Sequence, residues 1–295
     1  MLVERIADVV LPLFGVVAAG LIYARLRLPD MEAANRVNLD LFIPALVFSS
    51  LVQQDFELTR FGPLALGASL IIAVSGVAAV VISIIGGLRF RTLAPPMMFR
   101  NAGNLGLPLM TLTFGEEALP AALVLFLLGN VTHFGIAPLI LDHRARWWTA
   151  LAQPALLAAL AALLVIQWEV PVPGFILTSF GMLGQIAIPL MQFSLGVRLS
   201  RIDLGGWHVG LFGALITPTV GVIAAMILVT LIPLPPMQAG MLFLFGALPP
   251  AVLNFLFAEQ YRQEPARVAS IVLLGNLSAV ICLPLALAWV LPRYG

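Results

Sequence analysis

Apolar stretches near 20 residues long recur from one end of this chain to the other, and each is long enough to cross about 30 Å of hydrocarbon as a helix. Ten such spans are expected, at about 7–24, 37–53, 64–86, 93–114, 118–141, 150–167, 175–197, 209–232, 237–258 and 268–291. Of 295 residues, 61% are hydrophobic and 10% charged, with a mean hydropathy of +1.06. A soluble domain carries roughly 25% charged residues, which excludes that class. The links are short, so no soluble domain is appended. The N-terminal "MLVERIADVV" mixes Glu4 and Asp8 with its one arginine. It is read as part of the first span rather than as a signal peptide.

Every basic residue is an arginine. If both termini share a side, that side holds Arg5, Arg60 and Arg293. The opposite side holds Arg25, Arg27, Arg36, Arg89, Arg91, Arg144, Arg146, Arg198, Arg201, Arg262 and Arg267. Positive charge marks the cytoplasm, so both termini are expected on the non-cytoplasmic side of the plasma (inner) membrane. An even number of spans agrees.

The chain repeats itself at a shift near 145 residues. "VLFLLGNVTHFGIAPL" (124–139) falls on "SIVLLGNLSAVICLPL" (270–285), "IPALVFS" (43–49) on "IPLMQFS" (188–194), and "GLPLM" (106–110) on "ALPPA" (247–251). The expected organisation is therefore two five-span repeats, 1–145 and 146–295. An odd number of spans turns the second copy upside down, which is the arrangement of secondary carriers with a midplane site between broken helices.

The breaks are visible. "RNAGNLGLPLM" (100–110) puts Asn101, Gly103, Asn104 and Pro108 at the middle of span four, and "ALPPAVLNF" puts Pro249, Pro250 and Asn254 at the middle of span nine. Proline removes a backbone donor, and freed backbone groups in lipid survive only against protein or a wet cavity. Neither break contains Asp or Glu. Half-helices resuming at Pro108 and Pro249 would offer N-terminal amides, and the asparagines would add side-chain donors, so a small organic anion, a carboxylate above all, suits the site. Asn130 and Asn276 either line that site or act as interhelical glue. His133 is a proton shuttle or a structural histidine, and Asp40, inside the cytoplasmic end of span two, is paired or functional. Arg100 is expected to snorkel to the cytoplasm.

The chain holds no HExxH, GxSxG or P-loop. Its single cysteine, Cys282, rules out a disulfide or a cysteine metal cluster. Neither an enzyme nor a cofactor is expected, and no nucleic-acid partner. Channel or non-transporting sensor is the alternative to carrier; a channel should show a polar stripe along several spans, whereas polarity here gathers at the two breaks.

"NAGNLGLPLMTLTFGEE" and "ALPPAVLNFLFAEQYRQEPARVAS" resemble the two crossing-helix segments of the auxin efflux carrier family in its short bacterial form, and "FIPALVFSSL" in span two is similar as well. The resemblance implies a ten-helix carrier related to the bile acid:sodium symporter fold. Spans 1, 2, 6 and 7 would form a scaffold, and spans 3–5 and 8–10 a mobile transport unit. It implies dimers that move organic anions such as auxin, malate or malonate, with Asn101 as the substrate-facing amide and Pro108 and Pro249 as crossing prolines. Unlike plant members, this chain has no ionisable residue in span three and no long central loop. The acid that bile acid symporters place on helix nine for sodium is absent from "ALPPAVLNF", so flux independent of sodium is expected.

Overall fold

The computed structural model describes residues 2–27, 29–53, 56–142, 145, 147–200 and 206–295. Among them there is no strand. The helices, in chain order, are α1 (Leu2–Arg27), α2 (Glu32–Val37), α3 (Ile43–Gln53), α4 (Gly62–Gly86), α5 (Phe90–Met98), α6 (Leu107–Phe114), α7 (Leu119–Leu141), α8 (Pro154–Gln167), α9 (Gly174–Leu199), α10 (Trp207–Leu231), α11 (Pro236–Ala247), α12 (Leu253–Gln260) and α13 (Pro265–Tyr294). Of the arginines counted for orientation, Arg144, Arg146 and Arg201 lie outside the described residues, as does part of the seam between the expected repeats.

Six helical segments among the described residues are long and apolar enough to cross a membrane: Leu2–Arg27, Thr59–Gly86, Glu116–Leu141, Gly174–Leu199, Trp207–Leu231 and Pro265–Tyr294. Pro154–Gln167 and Pro236–Ala247 are shorter apolar helices. The stretch expected as span two is composite, with α2 and α3 joined through a π-helical turn, Asn38–Phe42. The stretches expected as spans four and nine are each two helices with an interruption. α5 ends at Met98 and α6 begins at Leu107, with a π-helical turn over Ala102–Gly106; α11 ends at Ala247 and α12 begins at Leu253.

Polarity is turned inward, the reverse of a soluble protein. Val77, Ile84 and Ile85 on α4, Phe175 and Met182 on α9, and Ile281 and Leu285 on α13 are exposed, whereas Arg100, Asn101, His133, Asn254 and Asn276 are buried. Such a surface suits hydrocarbon, and such a core suits a membrane protein that gathers its polar groups between helices.

Close packing rests on small residues, as expected where lipid supplies no hydrophobic drive between helices. α1 lies along α9. A Cβ added to Gly196 would fall 1.9 Å from the Val17 carbonyl oxygen, so glycine is what allows this approach. α3 lies against α8 and α9. α10 packs along α13, α11 and α4, and α4 also covers α5.

Candidate site at the crossing of two broken helices

The two interruptions meet. Phe99–Asn101 and Pro249–Ala251 run antiparallel as an isolated bridge centred on Arg100 and Pro250. The Asn101 amide donates to the Pro249 carbonyl at 2.8 Å, and the Ala251 amide donates to the Phe99 carbonyl at 2.9 Å. This pairing explains the double proline. The two donors it needs come from Asn101 and Ala251, so the N–H groups that Pro249 and Pro250 lack are never called for.

Three asparagines satisfy what the backbone leaves open. Asn254 Nδ2 donates to the Phe99 and Ala251 carbonyls at 3.0 and 2.9 Å. Asn276 Nδ2 donates to the Pro250 carbonyl at 2.9 Å and to Val272 in its own helix at 2.7 Å. Its Oδ1 accepts from Asn101 Nδ2 at 2.7 Å. Backbone freed from helix in a lipid-buried core is thereby paired within the protein.

Arg100 corrects the snorkelling expectation. The residue is buried, and its guanidinium donates to the carbonyls of Met97 (2.8 Å), Met98 (3.4 Å), Gly246 (3.2 Å) and Thr217 (3.3 Å) and to Ser75 Oγ (3.2 Å). The carbonyls at the end of α5 have no helical partner, and a five-donor fork in their midst is a better donor to them than distant water. Among the described residues no carboxylate pairs with it.

A cavity of about 130 Å³ opens beside the crossing. One wall comes from the break and α7: Arg100, Asn101, Gly103, Asn104, Asn130 and His133, with Ala251–Leu253 from the second interruption. The other wall comes from the composite second span and α8–α9, including Asn35, Asn38, Gln153, Ser194 and Arg198. Among the described residues, no Asp or Glu lines it. The first turns of both resumed half-helices border it, where backbone amides outnumber acceptors.

The sequence-derived residues divide accordingly. Asn101, Gly103, Asn104, Asn130 and His133 come together on the cavity. Asn104 and Asn130 are half-buried, and among the described residues their amides make no hydrogen bond. Asn276 and Asn254 lie behind the wall, holding the crossing together. Pro108 sits at the start of α6, one turn beyond the break, where proline needs no donor and fits the helix. The first half-helix thus resumes at Ala102, ahead of Pro108, and the second at Leu253, beyond Pro249 and Pro250. Gly103 and Gly106 sit in the π-helical turn without positive φ.

His133 stacks on Phe99, ring centroids 4.5 Å apart, and meets Phe257 edge-on at 5.3 Å. Its buried Nε2 has no hydrogen-bond partner among the described residues. Asp40 is elsewhere. It is exposed on the π-helical turn and borders a second, outer cavity of about 510 Å³ with Asp30, Glu32 and Arg36. The two groups offered for proton coupling therefore line different cavities.

The polar wall opposite the crossing was not singled out from sequence. Asn35, Asn38, Gln153, Ser194 and Arg198 are single polar residues near span ends, and only the fold sets them facing the break. Ser194 Oγ donates to Asn35 Oδ1 at 2.6 Å, and Asn38 Nδ2 donates to the Ala187 carbonyl at 3.3 Å.

Compared with known families, residues 139–287 match the model of a family described as membrane transport protein; the match takes in the second interruption and ends within α13. No curated protein matches the chain. The chain is a multi-pass membrane protein and belongs to the membrane transport protein family, that of the auxin efflux carriers.

Proposed function

We propose that the protein is a secondary carrier for a small organic anion, bound in the cavity at the crossing. The observation that carries this reading is the cavity's one-sided chemistry: two arginines, the unengaged amides of Asn104 and Asn130 and the first turns of two half-helices, with no carboxylate among the described residues. A bare cation finds no counter-charge there. A carboxylate finds donors and a positive field.

The remaining features of the proposal are ten crossings, five in each of two inverted repeats, with the composite and interrupted stretches completing the count. Spans 1, 2, 6 and 7 serve as scaffold, and the other six carry the substrate in an elevator-like movement. Two facts support that division. The packing of α1 on α9 and of α3 on α8 and α9 keeps the scaffold helices together, while α10 gathers α4, α11 and α13. The cavity also lies between walls from the two sets. Assembly as a homodimer in the plasma membrane, both termini non-cytoplasmic, completes the reading.

A thermal-shift screen of the purified protein against mono- and dicarboxylates, with their amides as uncharged controls, tests it. Carboxylates should raise the melting temperature in a concentration-dependent way and amides should not. Stabilisation by amines or by neutral amides alone would refute the anion reading.

A further inference from the structure

Arg198 is the penultimate residue of α9. An arginine there ordinarily hydrogen-bonds the last carbonyls of its helix or pairs with a nearby acid. Arg198 does neither: among the described residues its guanidinium has no hydrogen bond and no ion pair, although it is only partly exposed. Three acids line the outer cavity, and none pairs with it: Asp40 makes no ion pair among the described residues, and the other two are engaged otherwise. Glu32 pairs with Arg36 at 3.0 Å, and Asp30 accepts from the Glu32 amide at 2.9 Å.

Its position gives the free guanidinium a use. Arg198 borders the inner cavity, the outer cavity and a third, largely apolar one. The inner and outer cavities share only Asn35, Leu39 and Arg198. These three residues border both cavities, so a solute passing directly from the acid-bearing outer cavity to the inner one, where no acid lies among the described residues, meets Arg198. Arg100, the other cationic group on the inner cavity, has its donors on four carbonyls and a hydroxyl, so it contributes field and not a free fork.

We infer that Arg198 is the anion-selecting residue of this carrier: its unpartnered guanidinium binds the substrate's carboxylate at the threshold between the outer cavity and the crossing, and turns cations back. The inference rests on the organic-anion reading above and adds the residue that enforces it. A planar fork suits a carboxylate in two-point contact, which a lysine ammonium reproduces only as a point charge.

The test is binding of acetate, malonate, succinate and benzoate, with their amides as controls, to the purified full chain and to Arg198→Gln and Arg198→Lys, with melting temperature recorded for each. The expected result is carboxylate binding to the wild type, at least about tenfold weaker in Arg198→Gln, intermediate in Arg198→Lys, with unchanged melting of the ligand-free variants. If the wild type binds none of the carboxylates, the anion reading fails and the inference with it. If the wild type binds and Arg198→Gln binds equally well, the inference alone is overturned. A variant that no longer folds also overturns it, because a side chain without protein partners has no bond whose loss would unfold the chain.

Discussion

At the scale of single residues, the asparagines around the crossing separate into two kinds that the sequence could not tell apart. Asn276 and Asn254 spend their amides on backbone carbonyls, and Asn101 is tied to Asn276 at 2.7 Å. Asn104 and Asn130 face the cavity with theirs unspent. Asn276→Ala should therefore lower stability by about 1–3 kcal/mol, since it orphans a buried carbonyl and the Asn101 amide at once; denaturation of the detergent-solubilised protein would read this. Asn101→Ala should also act mainly on stability, by leaving Asn276 Oδ1 unpaired. Asn104→Ala and Asn130→Ala should melt normally and weaken carboxylate binding about tenfold each. Isothermal titration of the four variants decides between these outcomes. Normal binding by Asn130→Ala would assign it to packing. The family resemblance implied Asn101 as the substrate-facing amide, and the residue does line the cavity; its side-chain partner was not legible, because that is set by what the other half of the chain brings against it. Asn276 lies 175 residues away.

At the scale of elements, the interruptions themselves were legible, because proline pairs and glycines in an apolar run have few other uses in lipid. Where each half-helix restarts was not. Pro108 reads as a breaker, yet it begins α6, the position that tolerates a missing donor best. Arg100 likewise reads as a residue inside a span that snorkels toward cytoplasmic water. What holds it in place is a set of carbonyls on α5, α10 and α11, two of which are far away in sequence. Gly221 on α10 makes room for this arrangement: a Cβ there would lie 2.1 Å from both Arg100 Nη2 and the Gly246 carbonyl oxygen. Gly221→Val should thus destabilise the fold by at least about 1–3 kcal/mol, as overpacking does. Arg100→Met, which abandons several charged hydrogen bonds, should lose about 3 kcal/mol or more. Melting curves of the two variants test the pair. A Gly221→Val protein as stable as wild type would mean that α10 and the crossing do not meet this closely.

At the scale of the whole molecule, the hydrophobic pattern was enough to define a polytopic helical membrane protein, because span length and apolar composition answer directly to bilayer thickness. The facing polar wall was invisible, since it is assembled from isolated residues on the second, eighth and ninth helices. Orientation is testable through reporter fusions at Gly295: the arginine bias predicts activity of a reporter that works outside the cytoplasm, and cytoplasmic activity would reverse the topology. Coupling is a further prediction. With no acid among the described residues of the inner cavity, replacing sodium by choline should leave carboxylate flux unchanged in proteoliposomes, and its collapse would require a cation site elsewhere. The central claim is that the cavity belongs to a carrier of organic anions, and counterflow tests it most directly. Proteoliposomes preloaded with the carboxylate that stabilises the protein most are diluted into a trace of the same labelled compound. Transient accumulation of label above its equilibrium level is predicted, reduced in Asn104→Ala and Asn130→Ala vesicles at the same trace concentration. Label that merely equilibrates, without overshoot, would mark a channel and contradict the account.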